Sequence, residues 1–447
     1  MSSSGHFLSL TKKMIATIKN KKRSVWVFFF ITSGAMWAAF LAFYIASILT
    51  PDDFGVYSIG ISVMMFLTVY ASHNNGITII RYLSHYKSSD QAMAERFRAW
   101  AFSSAINRSI FFAIFGSLAY FIYFNYIDNS LGFSIYYAFL GVFFTSLSFT
   151  LMAMLRCEGK PIKAFFPIYF LRYVFLFLLV WFLFSYFDPK ASTAIGLEIL
   201  SYLGVLLVLF FFSKDMQLVK SFLKYYGKDK EKRKEWTKKG LGLTKSALSQ
   251  QFIGNIDIVM VGAIFGLKEA GFYAIASKVS KVVVLGNKAI NEYVAPEISL
   301  AYEKEDYKRL EVVAVSACSA SLIIAFFIIL IFYFFHELVF NFLGSDYAEV
   351  SNIVWIFIAG QIFNSAAGPT GIVLNMTDGE RYQTNINIFS AALIILMFLV
   401  CDFFGGGALS AAIVYSFVLV LSNLIKVFYI KKTMGVLLLP RMMKNDY

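Results

Sequence analysis

The length of its apolar runs constrains this chain more than any other feature. Stretches of roughly 20 to 28 residues with few charges recur from end to end, and each is long enough for a helix to cross a hydrocarbon core of about 30 Å. A soluble core of this size has no need of runs that long. Twelve are expected, at approximately 25–49, 56–80, 99–126, 134–155, 164–187, 193–213, 244–266, 271–299, 312–335, 350–376, 386–403 and 408–429. In lipid the backbone must satisfy its own hydrogen bonds, so runs of this length read as an all-α polytopic membrane protein. A composition that is 59% hydrophobic and only 15% charged agrees.

Charge sets the expected orientation. An even number of crossings puts both termini on one side, and nearly all the lysines and arginines outside the spans fall on that side. Lys190 and Lys268 are the two on the other. Positive loops mark the cytoplasm, so both termini are expected there. The net charge of +13 is then a topology signal and does not point to nucleic acid. The basic N-terminus precedes an apolar run of about 25 residues without a convincing cleavage site, which reads as a retained first helix.

Other chemistry is sparse. Cys157, Cys318 and Cys401 are scattered without CxxC spacing, and no HExxH or P-loop pattern occurs. No cofactor or metal is expected, and transport by this chain would draw on an H⁺ or Na⁺ gradient, on substrate flux or on another subunit.

The charge pattern divides the chain into a basic N-terminus (1–24), a six-helix lobe (25–213), a basic linker (214–243), a second six-helix lobe (244–429) and a tail (430–447). In the linker, Leu218, Phe222 and Tyr225 at helical spacing suit a strip lying on an anionic leaflet, or the segment is a solvated connector. The lobes look like copies. Residues 53–59 read DFGVYSI and residues 269–275 read EAGFYAI, an offset of 216; Glu158-Gly159 and Asp378-Gly379 repeat at 220. Six helices per copy imply parallel repeats about an axis along the membrane normal, with a path between them.

Charges inside the spans mark that path. Lys278, Lys281 and Lys288, with Glu292, cover an arc of roughly 80° on one helix face. Counted at about 1.5 Å per residue from Gly271, the lysines lie roughly 10, 15 and 26 Å into the membrane. Such residues face water, a partner charge or a passenger, and here they suit an anion. Asp257 falls at the depth of Lys278 in one hairpin, as a charge partner or proton-labile coupling group, or as a neutraliser that permits insertion. Arg108 and Arg172 enter the first lobe's spans, and Arg81 ends its second; guanidinium groups bind a diphosphate through paired donors, unless they snorkel to the interface. Gly368, Pro369 and Gly371 form a GPTG segment expected to hinge or kink its helix.

Taken together, the ILTPDDFGVYSI turn at residues 48–59, the polar stretch from Asn74-Asn75-Gly76 to Arg81-Tyr82-Leu83-Ser84, the EGK turn at 158–160 and AGFYAIASKV at 270–279 resemble bacterial polysaccharide flippases of the O-antigen (Wzx) type. The resemblance implies a multidrug-exporter-like (MATE-like) fold, two six-helix lobes around a central cationic cavity. It also implies transfer of undecaprenyl-diphosphate-linked oligosaccharide from the cytoplasmic to the periplasmic leaflet by alternating access. The implied partners are that lipid-linked glycan, membrane lipids and polysaccharide polymerase or chain-length proteins. An ion-coupled small-molecule exporter on the same fold is the alternative, and acids rather than bases should then dominate its cavity. A membrane glycosyltransferase or polymerase would need a larger extracytoplasmic loop than the fourteen or so residues available at about 336–349.

Overall fold

The computed structural model describes residues 26–27, 29–72, 76–126, 131–214, 218–225, 230–251, 257–283, 285–344, 347 and 349–440, and among them it is helical with no strand. Ten of the described helices are long and apolar enough to cross a membrane. The first half holds α1 (Phe29–Ile48), α2 (Pro51–Ala71), the shorter α3 (Ile77–Ser89), α4 (Gln91–Tyr126), α5 (Ser134–Cys157), α6 (Pro161–Leu183) and α7 (Ala191–Phe212). Next come α8 (Leu218–Tyr225), α9 (Lys230–Gln251), α10 (Asp257–Phe265), α11 (Leu267–Val283) and α12 (Leu285–Glu303). The chain closes with α13 (Tyr307–Leu343), α14 (Val350–Ala367), α15 (Thr370–Met376), α16 (Glu380–Phe403) and α17 (Ala408–Met434).

Four expected spans are subdivided. The run at 56–80 is carried by α2 and α3, with 73–75 outside the described residues and Gly76 at φ 86° ahead of α3. The run at 244–266 lies on α9 and α10, with 252–256 outside the description; that at 271–299 lies on α11 and α12, with residue 284 outside it. The run at 350–376 is broken between α14 and α15. Large apolar side chains stay exposed along the outer helices, including Phe326, Phe327, Ile331 and Phe334 on α13, as a lipid-facing belt requires.

The repeated motif has a physical reading. Thr50 caps α2 by accepting the Asp53 N–H at 3.2 Å, and Pro51 occupies the first turn, where its missing N–H costs nothing. Asp53 in turn accepts the N–H of Ala191 at 3.0 Å, capping α7, the last helix of the first half. Glu269, its repeat, accepts the N–H of Ala408 and caps α17, the last helix of the second. The glycines do a different job. A methyl group on Gly55 would collide with the carbonyl of Leu267, and one on Gly271 with that of Pro51, so α2 and α11 cross at backbone contact around a local two-fold. Tyr57 and Tyr273, next in the motif, are buried in one continuous apolar core that spans both halves. At this same end Tyr347 reaches the carbonyl of Leu49 at 3.5 Å and packs on Phe272 with ring centroids 5.9 Å apart.

The second repeated turn is a bracket. Glu158 takes Lys87 at 2.8 Å and Arg98 at 2.6 Å, tying α3 and α4 to the end of α5; Asp378 accepts a longer bond, 3.4 Å, from Tyr302 on α12. The linker is also engaged. Trp236 of α9 is almost fully buried against Phe97 and Trp100 and donates to Tyr86 at 3.0 Å, while Phe222 of α8 packs edge-on to Phe102. Of the aromatic side chains expected to lie on a leaflet, Phe222 thus packs on α4, while the Tyr225 ring lies 5.7 Å from the Arg96 guanidinium.

Candidate functional site

Lys278 and Lys281 both fall on α11, the helix at the crossing of the two halves. The Lys278 ammonium lies 5.2 Å from the Phe54 ring and 5.4 Å from the Tyr57 ring, both on α2. Across that contact Glu198 of α7 acts on it electrostatically, as does Lys281. A positive charge from the second half is thus presented to the first, over aromatic faces that favour a cation. Lys288 and Glu292 lie on α12, and their side chains are outside the described residues.

Asp257 has other partners than the expected one. No Asp257–Lys278 ion pair forms. The carboxylate, 2% exposed, accepts the Tyr273 hydroxyl at 3.0 Å and the Ile258 N–H at 2.9 Å, and the cation acting on it is Lys281. The reason is register: Lys278 points across the α2–α11 crossing, while Tyr273 and Lys281 face α10.

The arginines separate. Arg172 is buried, donates to Glu198 at 2.6 Å and is held between the rings of Tyr173 and Tyr202, whose centroids are 4.0 and 4.6 Å away. Its charge is paired within the protein in this state rather than presented to an open cavity. It directly follows the π-turn Pro167–Leu171, a distortion explained by the missing proline N–H. Arg108 donates to the Tyr70 carbonyl at 3.0 Å and stacks on the Tyr70 ring, so it is tied to the end of α2. Arg81 is exposed on α3, apart from both.

The GPTG segment is a full break in the helix. Gly368 ends α14 at φ 62°, which side chains disfavour, and a methyl group there would press on Cys318. Pro369 caps α15, and Gly371 faces Gln383 without a close contact. Beside the break opens a cavity of about 470 Å³ whose walls come from α12, α14, α15, α16 and α17. Its lining is rich in amides: Asn291, Asn364, Asn375, Gln383, Asn387 and Asn423, with Lys426 at one side. Some are joined, Thr370 to Asn423 at 3.2 Å and Asn423 to Asn364 at 3.1 Å. Sequence reasoning missed this cavity. Lys426 was detectable as a lone charge in an apolar run, whereas amides spread over five helices leave no local pattern.

These features define a polytopic helical membrane protein whose two halves cross through a repeated motif. Similar solved structures include an inward-facing multidrug resistance MATE family transporter of the MOP superfamily, 13% identical, covering 91% of this chain and 95% of that one with a TM-score of 0.76. The lipid II flippase MurJ in an inward closed conformation is similar at 14% identity, with 92% and 87% covered and a TM-score of 0.67. An outward-facing MATE family transporter is 12% identical, with 92% and 95% covered and a TM-score of 0.56. At these identities the likeness shows the fold. Residues 44–352 match the family described as polysaccharide biosynthesis protein, and the chain belongs to that family. A search of curated proteins gives no match.

Proposed function

We propose that this chain is a flippase carrying an undecaprenyl-diphosphate-linked oligosaccharide, a repeat unit of O-antigen or a similar surface polysaccharide, from the cytoplasmic to the periplasmic leaflet of the bacterial inner membrane. The observation that carries the reading is the placement of Lys278 and Lys281 on α11 at the crossing of the two halves. A diphosphate cannot enter hydrocarbon unpaired, and ammonium groups inside the protein supply its counter-charge. The prenyl tail remains in lipid while the charged and hydroxylated parts pass between the halves. Membership in a polysaccharide biosynthesis family supports the substrate class.

Transport proceeds by alternating access. The tight α2–α11 contact with Tyr347 over Leu49 closes one end, taken here as periplasmic from the basic-residue distribution, with both termini cytoplasmic. Better superposition on the inward-facing relative than on the outward-facing one, 0.76 against 0.56, supports an inward-open state. Opening the far side must separate Lys278 on α11 from Phe54 and Tyr57 on α2, and a bound diphosphate favours that step by taking over the ammonium. Asp257, held by Tyr273 near Lys281, is the group through which H⁺ or Na⁺ coupling would act.

The test is a clean deletion in a host with no second flippase. Surface polysaccharide should disappear while lipid-linked repeat units accumulate facing the cytoplasm, and plasmid-borne wild type should restore export. Normal surface polysaccharide in the deletion refutes the assignment.

A further inference from the structure

We infer that the amide-lined cavity beside the α14–α15 break is a saccharide subsite, which takes hydroxyl-bearing sugar units of the transported glycan while the diphosphate is held at the α11 lysines. The inference rests on the flippase reading. It starts from orphaned polar atoms: the side-chain oxygens of Gln383 and Asn291 are buried with no hydrogen-bond partner, and both residues line the cavity. Gln383 as a whole is 7% exposed, and its amide nitrogen reaches Asn387 at a long 3.4 Å. Buried acceptors left unpaired are costly, so a ligand that brings donors is favoured there.

Charge narrows the class of ligand. Among the described lining residues none is an aspartate or glutamate, and Lys426 is present. Against these residues a metal ion or an organic cation would meet a like charge with no carboxylate to offset it. Asp257, which acts on the lining Tyr415, is already engaged by Tyr273 and Ile258. The ionised diphosphate diester of a lipid-linked glycan offers only acceptors and would leave Gln383 and Asn291 unsatisfied. A sugar ring supplies donors and acceptors together, and the ammonium of Lys426 can donate to a hydroxyl or ring oxygen, or more strongly to the carboxylate of an acidic sugar. Tyr415, Val418 and Leu419 give the apolar patch on which a ring face can rest. The volume of about 470 Å³ lies within the range of about 300–1,000 Å³ usual for small-ligand sites.

Full-length protein in nanodiscs provides the test, by calorimetric titration with three probes: the oligosaccharide released from the host's own surface polysaccharide by mild acid, undecaprenyl diphosphate without sugar, and sodium chloride against choline chloride. The oligosaccharide should bind wild type and bind about tenfold more weakly to Asn291→Ala and to Gln383→Leu, the loss expected of one or two hydrogen bonds. Undecaprenyl diphosphate should bind all three proteins alike. Asn291 is only partly buried, so its variant keeps the test open should Gln383→Leu not fold. Oligosaccharide affinity equal in wild type and Asn291→Ala, or no oligosaccharide binding by a wild type that still binds undecaprenyl diphosphate, overturns the subsite and leaves the flippase reading standing. So does a sodium-specific response that the same variants abolish. If wild type binds neither the oligosaccharide nor the lipid diphosphate, both readings fall.

Discussion

The two halves share a motif and a helix order, yet they place their buried charges differently. In the first half the charges pair within the half, Arg172 with Glu198, Arg98 with Glu158 and Arg108 with a backbone carbonyl, although the second oxygen of Glu198 is a buried acceptor without a partner. In the second, an ammonium is turned outward toward the first half, and a cavity of amides beside a broken helix holds acceptors without partners. Duplication preserves what the fold needs, the acid caps and the glycine crossing, and frees the remaining positions to differ. Ser62 stands at the repeat position of Lys278, and Met65 at that of Lys281. Under the proposed function the first half is then a braced frame and the second the half that recognises.

The sharpest way to break this contrast is to open the frame. Glu198→Gln should leave Arg172 buried without its counter-charge and destabilise the protein by about 3–5 kcal/mol, read from thermal unfolding in detergent. The double variant Arg172→Met/Glu198→Leu should recover most of that loss. If Glu198→Gln is neutral, the pair is not a brace.

A methyl-sized probe of the crossing comes next. Gly55→Ala and Gly271→Ala should each cost about 1–3 kcal/mol, because the obstructing atoms are backbone carbonyls that cannot swing aside. Equal costs at both sites would confirm a local two-fold; a tolerated Gly271→Ala would show that the halves do not bear on each other equally.

Recognition in the second half should show in transport rather than folding. Lys278→Ala and Lys281→Ala are expected to lower glycan export by about tenfold or more, as loss of a desolvated counter-charge implies, with unchanged monodispersity on size exclusion. Arginine at either site should retain more activity. Normal export by both alanine variants would make the stripe structural and move recognition elsewhere.

The smallest effects belong to the caps. Asp53→Ala and Glu269→Ala should each cost about 1 kcal/mol, and the cost should appear as earlier exchange of amides in the first turn of α7 and α17 respectively. Exchange that changes in the other half instead would show that the acids do not act on their own lobes.

The chain's own sequence determined the class of structure, because a run of twenty apolar residues has few options other than a helix in a membrane. It also displayed the duplication, since acid, glycine and tyrosine at fixed spacing survive wherever a cap and a close crossing demand them. It marked Lys278 and Lys281 as exceptional by their surroundings. Only tertiary structure decided what each polar group touches. Asp257 and Lys278 match in depth, but helix rotation gives Asp257 to Tyr273 and turns Lys278 toward Phe54 and Tyr57. Arg172 looked available for a ligand until Glu198, 26 residues on, was brought against it. The amides of the cavity are ordinary residues one by one, and they form a surface only because five helices converge beside the break at Gly368. Depth and periodicity are local properties that a sequence carries; rotation, pairing and enclosure depend on which helices pack together, and that is settled over the whole fold.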